Sequence, residues 1–453
     1  MKPPKCVNPL VLLLVAIFAM GPVARAEWKE KVLYSFQGGT DGSTPAGGVV
    51  FDSLGNLYGA TSGGGSGSCA GFFQCGMVYQ LSPPAQKGGP WTETVLHNFQ
   101  GNKSGDGTSP GGGLVIDKAG NLYGTTGYGG TGGCVLLGSK EGCGTVYELS
   151  PPKVKGGAWT EKVLYSFKGG KDGYVPDGDL VFDSAGNLYG ATLFGGGKGT
   201  SCNSLYQYCG TVFELSPPQQ KGGKWTEKVL HSFAGGTDGA TPNGGLLLDS
   251  KGAIYGTAST GGNQGCKTND SIGCGTAFEL RPPLTKDGAW PERKLHVFTG
   301  GNDGASPNGD LIFDAKGALY GTAGRGGKGL SGVAFRIRPG SDGHWAETVL
   351  YAFSDGNAPQ NPTAGVISDG RGNLYGPALG GVTARGVIYR LKNAALGGFW
   401  PLTVLYTLNG SSDGHWPEAR LAFDSAGNLY STTQGGGSGS CQNGCGTVFE
   451  VSQ

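Results

Sequence analysis

Charge is scarce in this chain. Asp, Glu, Lys and Arg make up 15% of the 453 residues and nearly cancel, leaving a formal net charge of +1. So small a balance gives no electrostatic footing for nucleic acid or an acidic surface as partner. Long apolar runs are missing as well. After Leu10–Met20 there is no second one, so no membrane span is expected. Catalytic signatures are also absent. The sequence holds no Gly-x-Ser-x-Gly nucleophile elbow, no phosphate-cradling glycine loop ending in Lys-Ser/Thr, and no His-Glu-x-x-His. Its Gly-x-Gly runs lie between predicted strands, not ahead of helices, which excludes a dinucleotide fingerprint. No cofactor and no metal are expected.

Glycine, by contrast, is abundant: 92 residues, most of them in a repeated order. Leu180-Val-Phe-Asp-Ser-Ala-Gly-Asn-Leu-Tyr-Gly190 recurs seven times, with its tyrosine at Tyr58, Tyr123, Tyr189, Tyr255, Tyr320, Tyr375 and Tyr430. The spacings are 65, 66, 66, 65, 55 and 55 residues, the period of a repeated supersecondary unit. In the third copy, Leu180–Phe182 and Asn187–Thr192 flank an Asp-x-x-Gly turn and form a hairpin. Gly210–Leu215 is a third strand. A Ser-Pro-Pro breaker follows, and Trp225–Phe233 is a fourth strand expected to alternate, with Trp225, Glu227, Val229, His231 and Phe233 on one side. Four antiparallel strands repeated seven times predict an all-β, seven-bladed propeller. A fourth-strand segment, Trp28–Phe36, stands ahead of the first repeat, and Gly446–Val451 is a third strand with no fourth behind it. The N-terminal strand 28–36 is therefore expected to complete the last blade and close the ring.

Residues 1–26 read as a secretory signal peptide. Lys2 and Lys5 precede the apolar core, and Ala24-Arg25-Ala26 is a small-x-small cleavage site, so the mature chain is expected from Glu27 as one propeller domain, 27–453. Its ten cysteines fall in local pairs, Cys69/Cys75, Cys134/Cys143, Cys202/Cys209, Cys266/Cys274 and Cys441/Cys445, each between the second and third strands of its own repeat. In an exported chain these read as five loop-closing disulfides. Zinc would need four ligands at one place, and those loops hold no histidine.

Alternating strand direction sorts the loops onto two faces. The cysteine loops share one face, here the top, with the blade-to-blade loops. Those carry Asp41-Gly42, Asp106-Gly107, Asp172-Gly173, Asp238-Gly239, Asp303-Gly304, Asp355-Gly356 and Asp413-Gly414. One carboxylate per blade, spread around a ring, reads as turn chemistry and not as a calcium site. His97, His231 and His296 occupy a position that is Tyr34, Tyr165, Tyr351 and Tyr406 in other repeats, which points to packing with a polar tip. His344 and His415 fall at different phases and make no joint site.

Departures from the repeat carry more information. Just before the first strand, four copies have Gly48, Gly113, Gly245 and Gly365, whereas three have Asp179, Asp310 and Arg420. Asp177 and Glu418 precede two of these by two residues. Carboxylates facing an arginine around a channel mouth form a candidate polar ligand site, or an acid/base pair; the alternative is solvated rim charge. Top-face aromatics (Phe72, Phe73, Tyr128, Phe194, Tyr206, Tyr208 and Trp416) are candidates for stacking on sugar rings. Trp416 is the one tryptophan outside the repeat pattern.

Three segments together resemble the GloVer-type tandem repeat: Val-Leu-Tyr-Ser-Phe-x-Gly-Gly-x-Asp-Gly, Phe-Asp-Ser-Ala-Gly-Asn-Leu-Tyr-Gly-x-Thr and Cys-Gly-Thr-Val-Phe-Glu-Leu-Ser-Pro. The resemblance spans residues 28–453. It implies an exported bacterial protein, often with a variable C-terminal anchor. No such anchor is recognised here, which favours release or a periplasmic location. The family supplies no activity or catalytic residue to transfer. The expectation is a secreted, monomeric binding protein, not an enzyme, that recognises an extracellular glycan or envelope protein through its top face. The alternatives are a carbohydrate-active hydrolase or lyase using Asp179, Asp310, Glu418 and Arg420, and a structural surface-layer protein.

Overall fold

The structure, a computed structural model, describes residues 27–67, 69, 75–101, 105–136, 139–197, 209–263, 265–268, 271–285, 288–354, 359–380, 385–394 and 398–453. The proposed signal peptide, Cys202, Asp355-Gly356, Phe72, Phe73, Tyr206 and Tyr208 lie outside these residues.

The described residues form seven antiparallel blades in a ring, with strands in sequence order from the channel outward. Blade 1 runs Ser43–Phe51, Leu57–Gly63, Met77–Ser82 and Thr92–Asn98. Blade 7 is Ala422–Phe423, Leu429–Thr433 and Thr447–Ser452, completed by Lys29–Ser35 from the other end of the chain. The pairing runs from Lys29 opposite Ser452 to Ser35 opposite Thr447. The expected closure is thus present: the two ends of the chain share the sheet of the last blade, which closes the ring.

The repeated side chains explain themselves one by one. In the hairpin turn, Asp52 Oδ1 accepts the backbone N–H groups of Leu54 and Asn56, while Oδ2 accepts Asn56 Nδ2 and the Tyr58 hydroxyl. An Asx turn therefore fixes the hairpin, and the Asp, Asn and Tyr of the motif are its three parts. In the blade-to-blade loops, Asp41, Asp106, Asp172, Asp238, Asp303 and Asp413 each accept a backbone N–H from the residues just before them, at 2.6–2.9 Å. Each also faces the polar tip of the interchanging Tyr/His position: Tyr34 at 2.5 Å, Tyr165 at 2.7 Å, and His97 and His296 at 3.1 Å. Those rings meet the phenylalanine two residues on, edge to face; His97–Phe99 and Tyr165–Phe167 are examples. The acids are loop caps, and the exchange of Tyr for His preserves a ring with a donor.

Two strand details differ from the sequence expectation. The fourth strand does not alternate throughout. Its register shifts between Val229 and His231, so the bulged Leu230 turns into the core beside Phe233. The first strand of blade 3 begins at Tyr174, well before Leu180, and its register breaks between Asp177 and Val181. That break re-aims the residues at the channel mouth.

Packing lies between blades. Seven apolar clusters each join neighbouring blades, one uniting Leu33, Phe36 and Val448 of blade 7 with Leu57, Met77 and Tyr79 of blade 1. The phenylalanine ending a fourth strand meets a third-strand aromatic of the next blade at 5.1–5.3 Å, from Phe36–Tyr79 to Phe353–Tyr389. Near the top, the backbone itself interlocks. Thr44, Ser109, Val175, Thr241, Ser306, Asn361 and Trp416, each just before a proline, adopt φ of 45–59°. Six of them donate their N–H to a carbonyl of the preceding blade at 2.9–3.1 Å, in five cases that of the second cysteine of its pair. The glycine after that position is obligatory: a Cβ on Gly210 would lie 2.5 Å from Pro242 Cδ, and one on Gly446 would lie 2.4 Å from Pro45 Cδ. Disulfides close Cys69–Cys75, Cys134–Cys143, Cys266–Cys274 and Cys441–Cys445, with Cα separations of 5.1–5.6 Å. Each holds the carbonyl onto which the next blade latches. Among the described residues, no helix is long and apolar enough to cross a membrane.

Candidate functional site

The bulged start of each first strand delivers two side-chain positions to the channel mouth. The lower one is glycine in blades 1, 2, 4 and 6, Asp179 in blade 3, Asp310 in blade 5 and Arg420 in blade 7. Glycine leaves room for the charged three. A Cβ on Gly113 would sit 2.6 Å from Asp179 Oδ1, and one on Gly245 would sit 2.6 Å from Asp310 Oδ1. Arg420 reaches across the ring to both acids, with Nη2 3.1 Å from Asp179 Oδ2 and Nη1 3.0 Å from Asp310 Oδ2. The remaining carboxylate oxygens accept the Gly113 and Gly245 N–H groups, both at 2.6 Å. One arginine thus tethers two acids, leaving the tier one negative charge in excess. Burial, and then the Asp310 charge, push the Asp179 carboxyl up to about 6 against the pull of Arg420.

This tier partitions the channel. A cavity of about 430 Å³ opens on one side, walled by Pro45–Gly48, Pro110–Gly113, Asp177–Asp179, Asn243–Gly245, Asn308–Asp310, Thr363–Gly365 and Glu418–Arg420. A second cavity, of about 330 Å³, shares Gly48, Gly113, Asp179 and Arg420 but is otherwise apolar, with Val49–Phe51, Leu114, Ile367 and Leu421–Phe423.

The upper position, two residues earlier, reads Ala46, Gly111, Asp177, Asn243, Asn308, Thr363 and Glu418 around the ring. Five consecutive blades therefore present side-chain oxygens, and blades 1 and 2 leave a gap. Glu418 Oε2 accepts Gln434 Nε2 at 2.7 Å. Burial raises the carboxyls of both Asp177 and Glu418 above their usual range. Asn308 turns its amide nitrogen to the Pro362 and Thr363 carbonyls, 3.3 and 3.5 Å away. Its Oδ1 and that of Asn243 have no hydrogen-bond partner and no contact with solvent.

Of the six ligand-site residues expected from sequence, Asp177, Asp179, Asp310, Glu418 and Arg420 share this one cavity. Trp416 does not line it; the ring is partly exposed and packs edge to face on His415 at 4.4 Å. Sequence reasoning passed over Asn243, Asn308, Thr363 and Gln434. The first three were detectable, since they hold the repeat position of Asp177 and Glu418.

Elsewhere, His97, Asp106 and Glu161, and likewise His231, Asp238 and Glu292, gather ligand-type atoms within 4.8 Å. Both are blade-to-blade clasps. In the second, Lys294 already supplies the cation, 3.1 Å from Glu292 and 3.7 Å from Asp238. In repeats that carry tyrosine for histidine, the same glutamate faces the same aspartate. Glu93, Glu227 and Glu30 are pushed up to about 7, 8 and 7, by burial first and then by Asp41, Asp172 and Asp413.

A family model described as the Gloeobacter/Verrucomicrobia repeat matches residues 16–202 and 132–376. No curated protein matches the chain. Among solved structures, a luciferin-regenerating enzyme is similar at 12% identity with a TM-score of 0.42, covering 75% of this chain and 90% of its own. A Thermus thermophilus structure described as an oxidoreductase (glucose dehydrogenase) is similar at 17% identity with a TM-score of 0.41, covering 75% of this chain and 95% of its own.

Proposed function

The chain belongs to the Gloeobacter/Verrucomicrobia repeat family, and from that premise we propose that it is an exported binding protein whose channel mouth takes a small polar ligand, the end of an extracellular glycan. The observation that carries this reading is the two-tier mouth. A polar floor of Asp179, Arg420 and Asp310 lies under a crescent of five oxygen-bearing side chains, around a cavity of about 430 Å³. That volume falls in the range of small-ligand sites. The rim is interlocked from blade to blade and stapled by disulfides, so little ordering remains to oppose binding. Export is supported by the leader-like residues 1–26 and by the disulfides.

The test is a thermal-shift screen of the mature protein against polysaccharides and oligosaccharides, with Arg420→Ala run beside it. A ligand at a hundred times its Kd stabilises by about 2.7 kcal/mol. The expected result is a shift with at least one glycan that disappears in the variant. A shift unchanged in Arg420→Ala would move the site off the mouth.

A second reading, a glycan hydrolase or lyase, is favoured by one feature: burial pushes the Asp179 carboxyl up to about 6, beside a second carboxylate, so it takes up a proton in mildly acidic solution. It requires release of reducing ends or unsaturated products, lost in Asp179→Asn.

A further inference from the structure

The donors and acceptors of the mouth are unequally used. Arg420 spends its guanidinium on Asp179 and Asp310. The Thr363 hydroxyl donates to the Pro417 carbonyl at 2.5 Å, and the Ser62 hydroxyl donates to the Thr44 carbonyl at 3.0 Å. Gln434 Nε2 goes to Glu418, and Asn308 Nδ2 goes to two carbonyls. Two carboxylates remain in surplus: Asp177 and Glu418 stand at the two ends of the crescent, beyond the reach of Arg420, while the unpartnered Asn243 and Asn308 Oδ1 atoms are closed off from solvent. Among the described residues lining the cavity, the formal charge is −3, from four acids and one arginine, with no lysine. A neutral sugar offers donors and acceptors alike and would leave this charge uncompensated; an anionic one would add to it. Carboxylates in surplus around one cavity call for a ligand that brings positive charge and N–H donors.

Resting on the reading of the mouth as a ligand site, we infer that its upper tier is a subsite for a protonated amine. The ligand is then an amino sugar or similar polyol with a free ammonium group. Asp177 and Glu418, the two carboxylates of the cavity that Arg420 does not reach, take its charge. Ala46 and Gly111 leave the crescent open on one side, where the rest of a chain can leave the mouth. The raised carboxyls fit the same picture: a bound cation draws Asp177 and Glu418 back down, so binding releases protons and tightens with rising pH for as long as the amine keeps its own.

The experiment is isothermal titration calorimetry of the mature protein at pH 6, with fully deacetylated chitohexaose, fully N-acetylated chitohexaose and calcium chloride as separate probes. The expected result is binding of the deacetylated hexamer at least tenfold tighter than its acetylated counterpart. That binding should be lost in Asp177→Asn/Glu418→Gln, whose melting temperature stays within a few degrees of the parent. Equal binding of both hexamers would overturn the amine subsite and leave the glycan reading standing. Saturable binding of calcium that excludes the hexamer would replace the amine with a metal ion. Binding of neither hexamer would overturn the inference without any variant; the glycan reading would fall too only if the polysaccharide screen were also blank.

Discussion

Replacing Arg420 with methionine keeps much of the side-chain bulk but removes the charge between Asp179 and Asp310. The two carboxylates, 19% and 15% exposed, are then left facing each other, each with one backbone N–H. Breaking a fully buried pair costs about 3–5 kcal/mol, and an exposed one about 0–1 kcal/mol. The Arg420 side chain is 40% exposed, so solvent screens part of the interaction. The expected loss is roughly 1–3 kcal/mol at pH 7.5. The pH dependence makes the test specific. Asp179 is already pushed up to about 6, and without the arginine it rises further. At pH 5 it is neutral in the variant, the repulsion is gone, and the loss should shrink by about half. Asp310→Asn in the Arg420→Met background should likewise recover most of the stability at pH 7.5. Urea midpoints at the two pH values measure both effects. Equal losses at pH 5 and 7.5, or no recovery in the double variant, would refute the reading of this tier as one arginine balancing two acids.

The blade-to-blade glutamates predict an alkaline weakness. Glu30, Glu93, Glu161, Glu227 and Glu347 have folded-state values raised to about 7–8, so the stability they contribute is full below about 4.5 and lost as pH climbs through 7–8. The melting temperature should fall between pH 5.5 and 8.5, and Glu227→Gln should flatten that slope; an unchanged slope would count against the clasp. Gly210→Ala meets Pro242 at 2.5 Å with φ at +85°, whereas Gly186→Ala, at φ +86°, meets nothing within 4 Å. The first should therefore cost about 3 kcal/mol or more and the second about 1 kcal/mol in the same unfolding assay. Reduction should cost about 2 kcal/mol for each loop-closing disulfide. The intact mass of the mature chain should lie about ten hydrogens below the all-thiol value, eight from the four described bridges and two from Cys202–Cys209, expected from sequence. Labelled free thiols would contradict it.

The blades were legible because each repeat carries its own turn chemistry. Asp183, Gly186, Asn187 and Tyr189 specify one hairpin locally, and a fourth strand present ahead of the first repeat but missing behind the last leaves a ring as the consistent arrangement. The floor of the mouth was legible because Asp179, Asp310 and Arg420 break a position that is otherwise glycine. The strand bulges were not. The shift at Leu230 depends on neighbouring blades competing for the same core, which the alternation of one strand does not contain. The glutamate clasps were hidden for a related reason: Glu161 meets Asp106 and His97 across a blade boundary, at unequal sequence distances. The crescent was only half seen, since charge drew attention to Asp177 and Glu418 while the uncharged Asn243, Asn308 and Thr363 hold the same phase of the repeat without breaking its charge pattern.

A crystal structure of the mature protein with the tightest glycan from the screen bears most directly on the central claim. The account predicts ligand density inside the mouth, above Arg420 and between Asp177 and Glu418. Density on the cysteine loops or along the outer strands, with the mouth holding only solvent, would contradict it.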